Sequence, residues 1–192
     1  LYRSKVNRLL LASATVIVLL GIITAFVKEY RSFNENVILS SRNFYGVLKV
    51  KEERKGTISW QRYLYHGDIM HGIQFLDSAS SRLPISYYGP KSGIGLALSQ
   101  FPTRAQANYQ GMKVGMIGLG TGTVSAYSTD RDIYKYYEIN PLVYSIANKY
   151  FTYLENSRGK LEIIYGDGRV SLSEELNSKG SNNFDVLAVD AF

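Results

Sequence analysis

The stretch Val114 to Asn140 (VGMIGLGTGTVSAYSTDRDIYKYYEIN) constrains this chain more than any other. Its apolar start, Val114 to Ile117, breaks into Gly118-Leu119-Gly120-Thr121-Gly122-Thr123, and a second run, Ile133 to Tyr137, ends on Glu138. The order reads as strand, glycine turn, helix, strand, carboxylate. Glycines let the backbone turn tightly and approach a ligand closely, with helix amides pointing at it. Glu138 stands where a Rossmann-type unit puts the acid that grips ribose hydroxyls. The spacing is G-x-G-x-G, against G-x-G-x-x-G for dinucleotides, and it suits an S-adenosylmethionine-type ligand better. The glycines alone would also serve a structural turn. The acid that follows them on schedule points to a nucleoside site.

Downstream, Asn140-Pro141 reads as a helix start, with Asn as N-cap and Pro in the first turn. Leu142, Ile146, Ala147 and Tyr150 give that helix an apolar face. Leu161 to Tyr165 reads as a third strand ending in Gly166-Asp167-Gly168-Arg169, and Phe184 to Val189 as a fourth ending in Asp190, with a helix between them. Four β-runs alternating with three helical patterns predict an α/β fold, a Rossmann-like parallel sheet of the S-adenosylmethionine-methyltransferase type. Ligands of such sheets bind outside the carboxyl ends of the strands. Those ends carry the glycine turn, Glu138, Asp167 and Asp190, although any one of the acids would also serve as a helix N-cap, Asp167 most readily.

Leu9 to Val27 runs without a charge, long enough to cross a bilayer core as a helix. Arg3, Lys5 and Arg8 precede it, and Lys28 and Arg31 follow. Residues 1–42 hold six Lys and Arg against two acids, whereas 43–192 hold sixteen against fourteen, so most of the net charge of +6 flanks the apolar run. A nucleic-acid surface is not indicated. The absence of cysteine excludes disulfides and thiolate metal sites. Residues 1–28 are therefore expected as a transmembrane helix with basic flanks, 29–42 as a linker, 43–80 as a small antiparallel β-subdomain and 81–192 as the nucleoside-binding domain. In the β-subdomain the expected strands are Phe44 to Val50, Thr57 to Tyr65 and Ile69 to Phe75. His66 and His71 read as ordinary surface or turn residues, with no metal site. Pro84 to Leu98 reads as a loop holding Tyr87-Tyr88, then a short helix. Because the chain starts at Leu1 and stops just after a strand-like run, the sheet is expected to continue beyond Phe192 and to be C-terminally incomplete.

Several motifs in order carry a family resemblance: YHGDIMHGIQFLD (Tyr65 to Asp77), PISYYGPKSGIGLAL (Pro84 to Leu98), IGLGTGT (Ile117 to Thr123), YYEINP (Tyr136 to Pro141), YGDGR (Tyr165 to Arg169) and FDVLAVDAF (Phe184 to Phe192). From Phe44 onward the chain resembles the spermidine synthase (polyamine aminopropyltransferase) family, most of all its membrane-fused branch. The resemblance implies transfer of an aminopropyl group from decarboxylated S-adenosylmethionine, as co-substrate, to a polyamine such as putrescine, with no metal. Gly118, Gly120, Thr121, Gly122 and Gly168 would border the donor, with Gln74 at its edge, Glu138 on the ribose and Asp167 on the adenine. Asp190 would take the proton of the attacking amine, oriented by Tyr87 or Tyr88. Thr121 replaces an aspartate usual in the family, and Tyr87-Tyr88-Gly89-Pro90 departs from the usual Tyr-His/Gln-Glu. These departures keep two other readings open: an S-adenosylmethionine-dependent methyltransferase, and a non-catalytic nucleoside-binding domain of a membrane transporter. The expected setting is an inner or plasma membrane, with the catalytic domain on the cytoplasmic side and a homodimer allowed.

Overall fold

The computed structural model describes residues 2–190, and side chains from Leu10 onward. The basic side chains of Arg3, Lys5 and Arg8, and the last two residues of the FDVLAVDAF motif, lie outside the described ones. The chain divides into two compact units, one ending at Val37 and one beginning at Ile38.

The first unit is a single helix, α1 (Tyr2–Asn34). Its described apolar side chains, among them Leu11, Ile17, Ile22 and Phe26, are all exposed. Within it, Leu10–Asn34 spans 25 residues, about 37 Å at ~1.5 Å per residue, enough to cross a membrane. An N-terminal signal sequence shares that property. Thr15 and Thr24 return their hydroxyls to the carbonyls of Leu11 (2.9 Å) and Leu20 (2.7 Å), so their polar groups are satisfied within the helix.

The second unit opens with four strands in spatial order β1 (Val37–Asn43), β2 (Gly46–Glu53), β3 (Gln61–His66) and β4 (Ile69–Phe75). β2 pairs antiparallel with β3, and β3 with β4. Period-two alternation places Leu48, Val50 and Leu64 on one fully buried face. Residues 29–42, expected as a linker, instead hold the last turns of α1 and β1 up to its last residue, Asn43. The apolar run Val37-Ile38-Leu39 is short enough to be lost beside polar neighbours, and pairing with β2 is what makes it a strand. Phe44 and Tyr45 form the β1–β2 turn rather than the start of a strand. Thr57 to Ser59 likewise belong to the turn before β3.

The parallel sheet consists of β5 (Lys113–Ile117), β6 (Ile133–Glu138), β7 (Lys160–Tyr165) and β8 (Val186–Val189), in spatial order β7-β6-β5-β8. The order reverses at β5, and such a switch point opens a crevice at the carboxyl edge of a doubly wound sheet. α2 (Gly93–Ser99), α3 (Pro141–Tyr150) and α4 (Gly168–Lys179) supply the helices. Ser92, Asn140 and Asp167 cap them through side-chain oxygens. The expected helix after the glycine turn is replaced by a 3-10 segment, Thr123–Tyr127. Only ten residues separate Gly122 from Ile133, and Ser125, Ser128 and Thr129 prefer local hydrogen bonds to helix propagation.

The turn into β6 is organised by Asp132, only 1% exposed. Its carboxylate accepts hydrogen bonds from the amides of Met112 (2.9 Å) and Thr129 (2.8 Å), from the Arg104 guanidinium (2.9 Å) and from the Tyr109 hydroxyl. Burial works against the charged form. The Tyr109 hydroxyl, the two amides and Arg104 outweigh it and hold the carboxyl below its usual range. A depressed pKa contributes stability above the unfolded value of about 3.9, and that stability is lost as pH falls through the folded value. Asp132→Asn, which leaves Arg104 without its buried counter-charge, is expected to cost about 3 kcal/mol in urea unfolding at pH 7. The deficit should shrink below about pH 4 as the wild-type carboxylate takes up its proton.

Candidate functional site

The glycine turn leaves β5 with three left-handed residues, Gly118 (φ 97°), Gly120 (φ 54°) and Gly122 (φ 78°). A side chain at Gly120 would be strained by that φ, and its Cβ would stand 2.8 Å from the carbonyl oxygen of His71 on β4. At Gly72, the next residue of β4, a Cβ would meet the Thr121 side chain at 2.3 Å. The antiparallel sheet therefore lies directly against the glycine turn, backbone to backbone. Thr121 is fully buried beneath Gly72, with its hydroxyl paired to that of Thr123 (2.8 Å).

Glu138 ends β6 and is 6% exposed. One carboxylate oxygen accepts from the amide of Leu119 in the glycine turn (2.9 Å), and the other from the amide of Asn140 (2.8 Å). Burial pushes its pKa up, and these two amides with the nearby His66 pull the other way without cancelling it. Asp167 caps α4 by accepting from the amides of Arg169 (2.9 Å) and Val170 (3.0 Å), both on the same oxygen. Asp190 follows β8 and accepts a short hydrogen bond from the Tyr88 hydroxyl. Tyr88 is held by Tyr127, whose hydroxyl donates to the Tyr88 carbonyl (2.6 Å), and its ring packs on Tyr87 (4.5 Å between centroids). Burial first, then the bond to Asp190, raise the Tyr88 pKa far above that of a free phenol, so it stays a donor.

Gly118, Gly120, Glu138, Asp167, Gly168 and Asp190 all line one cavity of about 470 Å³ at the carboxyl edge of the sheet. The other expected residues are not part of its lining. Gln74, expected at the donor edge, is fully buried and tied to the Ser81 carbonyl (2.8 Å), the Thr152 hydroxyl (2.8 Å) and the Thr152 amide (3.0 Å). That amide joins β4 to the segment after α3. Thr121 and Gly122 turn toward β4 and Leu154. Tyr88 stands behind Asp190, and Tyr87 is half exposed beside it.

Residues outside the expected set also line the cavity, among them His66, His71, Asn140 and Arg169. The two imidazoles, 5.5 Å apart between centroids, come from β3 and β4 and face the carboxylates of the parallel sheet. His66 pairs with Leu48 across β2 and β3, on the strand face that carries Leu64. Following the alternation Arg62, Leu64, His66 would have put it on the inner face. Its Nε2 meets the Tyr45 carbonyl at 2.6 Å. Burial, and then His66, lower the His71 pKa against the opposing pull of Asp190, so the ring is neutral at pH 7. Among the described residues no group of three His, Cys, Asp or Glu side chains stands close enough to hold a metal ion.

No family model and no curated protein matches the chain. Among solved structures, a probable spermidine synthase from Corynebacterium glutamicum ATCC 13032 matches with a TM-score of 0.56 at 16% identity, over 80% of this chain and 52% of that one. The fold is of the spermidine synthase type. This chain spans about half the length of that protein.

The raised pKa of Glu138 has a measurable consequence. The folded state binds the proton more tightly than the unfolded chain, so stability from this group declines as pH rises between about 4.3 and the folded value. Glu138→Gln cannot ionise. The unfolding free energy of wild type relative to the variant should fall across that window, by up to ~1.4 kcal/mol per pH unit. A difference that stays flat with pH would mean that the carboxyl is not buried as described.

Proposed function

We propose that the second unit binds decarboxylated S-adenosylmethionine and transfers its aminopropyl group to an amine such as putrescine. The observation that carries this reading is the gathering of Glu138, Asp167 and Asp190 from three strand ends around one cavity, with Asp190 backed by the Tyr88 hydroxyl. In this reading Glu138 and Asp167 hold the nucleoside, the first on its ribose and the second, through its unoccupied oxygen, on its base. The glycine turn lets the donor's chain pass close to the backbone.

At pH 7 a free alkyl amine is mostly protonated and not nucleophilic. Asp190 binds the ammonium form and accepts a proton as attack proceeds. The amine nitrogen then forms a bond to the carbon next to sulfur, the C–S bond breaks, and its electron pair neutralises the sulfonium to a thioether. The donor is already activated, so alignment of nitrogen and carbon is the main task left to the protein. Tyr88 keeps the carboxylate in position by donating to one oxygen, leaving the other for the amine. The neutral His71 imidazole adds a polar group to the same end without adding charge. α1 would hold this unit at a membrane, on the cytoplasmic side where such donors are made.

Asp190→Asn should abolish transfer, a loss of at least a hundredfold in kcat, while donor affinity stays within about twofold, because an amide cannot accept the proton. Tyr88→Phe should retain donor affinity and lose roughly tenfold or more in kcat. The assay is incubation of the full-length protein with putrescine and either decarboxylated or ordinary S-adenosylmethionine, with products identified by mass spectrometry. Methylthioadenosine and an aminopropylated amine, formed from the decarboxylated donor alone, support the reading. S-adenosylhomocysteine would replace it with methyl transfer. Nucleoside binding without product from either donor would replace it with a regulatory domain.

A further inference from the structure

In the transfer proposed above, Asp190 is left holding a proton from the incoming amine, and that proton must leave before the next turnover. Alkylation also returns a positive charge to the nitrogen. A carboxyl that stayed protonated would leave this new ammonium without a counter-ion. The Tyr88 hydroxyl does not relieve Asp190, because it already donates to that carboxylate and burial keeps its own proton in place. Among the other titratable groups on the cavity wall, Tyr45 and Tyr137 bring phenols and Arg169 a guanidinium, none of which takes up a proton near pH 7. Glu138 accepts from the amides of Leu119 and Asn140, and Asp167 from those of Arg169 and Val170, so both carboxylates are committed. Two imidazoles remain, His66 on β3 and His71 on β4.

His71 is half-buried and stands close enough to Asp190 to feel its charge. Burial and His66 disfavour the imidazolium, and Asp190 favours it. The ring therefore starts neutral, and a proton it takes up is held only briefly. In general an imidazole, with a pKa near 6.5, takes a proton readily from a carboxyl, near 3.9. His66 lies beside it, 5.5 Å between ring centroids. Its Nε2 meets the Tyr45 carbonyl at 2.6 Å, and a carbonyl only accepts, so that nitrogen carries hydrogen. In the neutral ring Nδ1 is then the acceptor. Gly46 (φ 128°) makes the contact possible, since a Cβ there would stand 2.5 Å from Nε2. We propose that His71 receives the amine's proton from Asp190 and hands it on by way of His66. The proton leaves the amine for an Asp190 oxygen, and the freed lone pair forms the N–C bond as the C–S electrons pass to sulfur. The proton then moves to a ring nitrogen of His71, and Asp190 regains its charge beside the alkylated nitrogen. His71 acts through Asp190, without touching the reacting atoms. The inference rests on the transfer reading and adds to it the fate of the proton.

The test measures kcat against pH in the full-length protein with decarboxylated S-adenosylmethionine and putrescine, following release of methylthioadenosine. Wild type should lose kcat as pH falls below about 6.5, because the ring is then already protonated. His71→Ala should lower kcat at least tenfold at neutral pH, with the donor KM within about twofold. It should also flatten the acid limb and regain turnover when imidazole is added. His71→Gln serves as a second variant if the alanine one does not fold, with the acid limb as its readout. Wild-type kcat and pH profile in a folded variant overturn the inference and leave the transfer reading standing. So does a loss of kcat that keeps the acid limb and that imidazole does not restore, which is a packing effect. If wild type releases no methylthioadenosine at any pH, the transfer reading falls and the inference falls with it.

Discussion

The hydrogen bonds between the Glu138 carboxylate and the amides of Leu119 and Asn140 are what the site depends on. A three-glycine turn has little reason of its own to hold one shape, because glycine loses the most conformational freedom on ordering. Glu138 supplies that reason by fastening the turn that follows β5 to the end of β6. The same carboxylate anchors the start of α3 by way of Asn140, so one side chain sets the floor of the cavity. The arrangement carries a cost, visible in the carboxyl's raised pKa, since a charge is taken out of water with no cation bonded to it. Backbone amides partly offset that cost, and a ligand hydroxyl would add a further donor.

The second constraint is the distance at which the two sheets meet. Gly72 and Gly120 leave room for backbone against backbone, and Gln74 locks β4 onto the chain beyond α3. With β4 held so close, the imidazoles of His66 and His71 become the wall opposite the carboxylates. The acidic groups come from the parallel sheet and the imidazoles from the antiparallel one. The cavity therefore exists only where the two are packed together. Buried side chains such as Leu48, Leu64 and Met116 maintain that packing, because each apolar area removed from water favours the closed arrangement.

Much of this was legible from local chemistry. The glycine spacing, the acid at Glu138, the cap at Asn140 with Pro141 behind it and the acids closing β7 and β8 are each local signals, and the structure gathers these strand ends on one cavity. Where the reading erred, the signal was not local. Val37 to Asn43 is a strand because β2 pairs with it, and the segment after the glycine turn is a 3-10 turn because the chain must return to β6 within a few residues. Gln74 and Thr121 were expected at the ligand by position in their motifs. The Gln74 side chain is instead consumed in fastening β4 to its neighbours, and the Thr121 hydroxyl in a bond to Thr123 within the turn.

The sequence by itself determined the four strands of the parallel sheet and the helices α3 and α4, the apolar length of α1, and which strand ends carry carboxylates. These follow from periodicity, capping and turn chemistry, all of which act over a few residues. Only the tertiary structure decided which side chains share the cavity. His66, His71 and Asn140 owe their placement to contacts between residues such as Asn43 and Asn140, far apart in the chain. How readily a side chain holds a proton depends on every group that surrounds it in space, and no local pattern encodes that set.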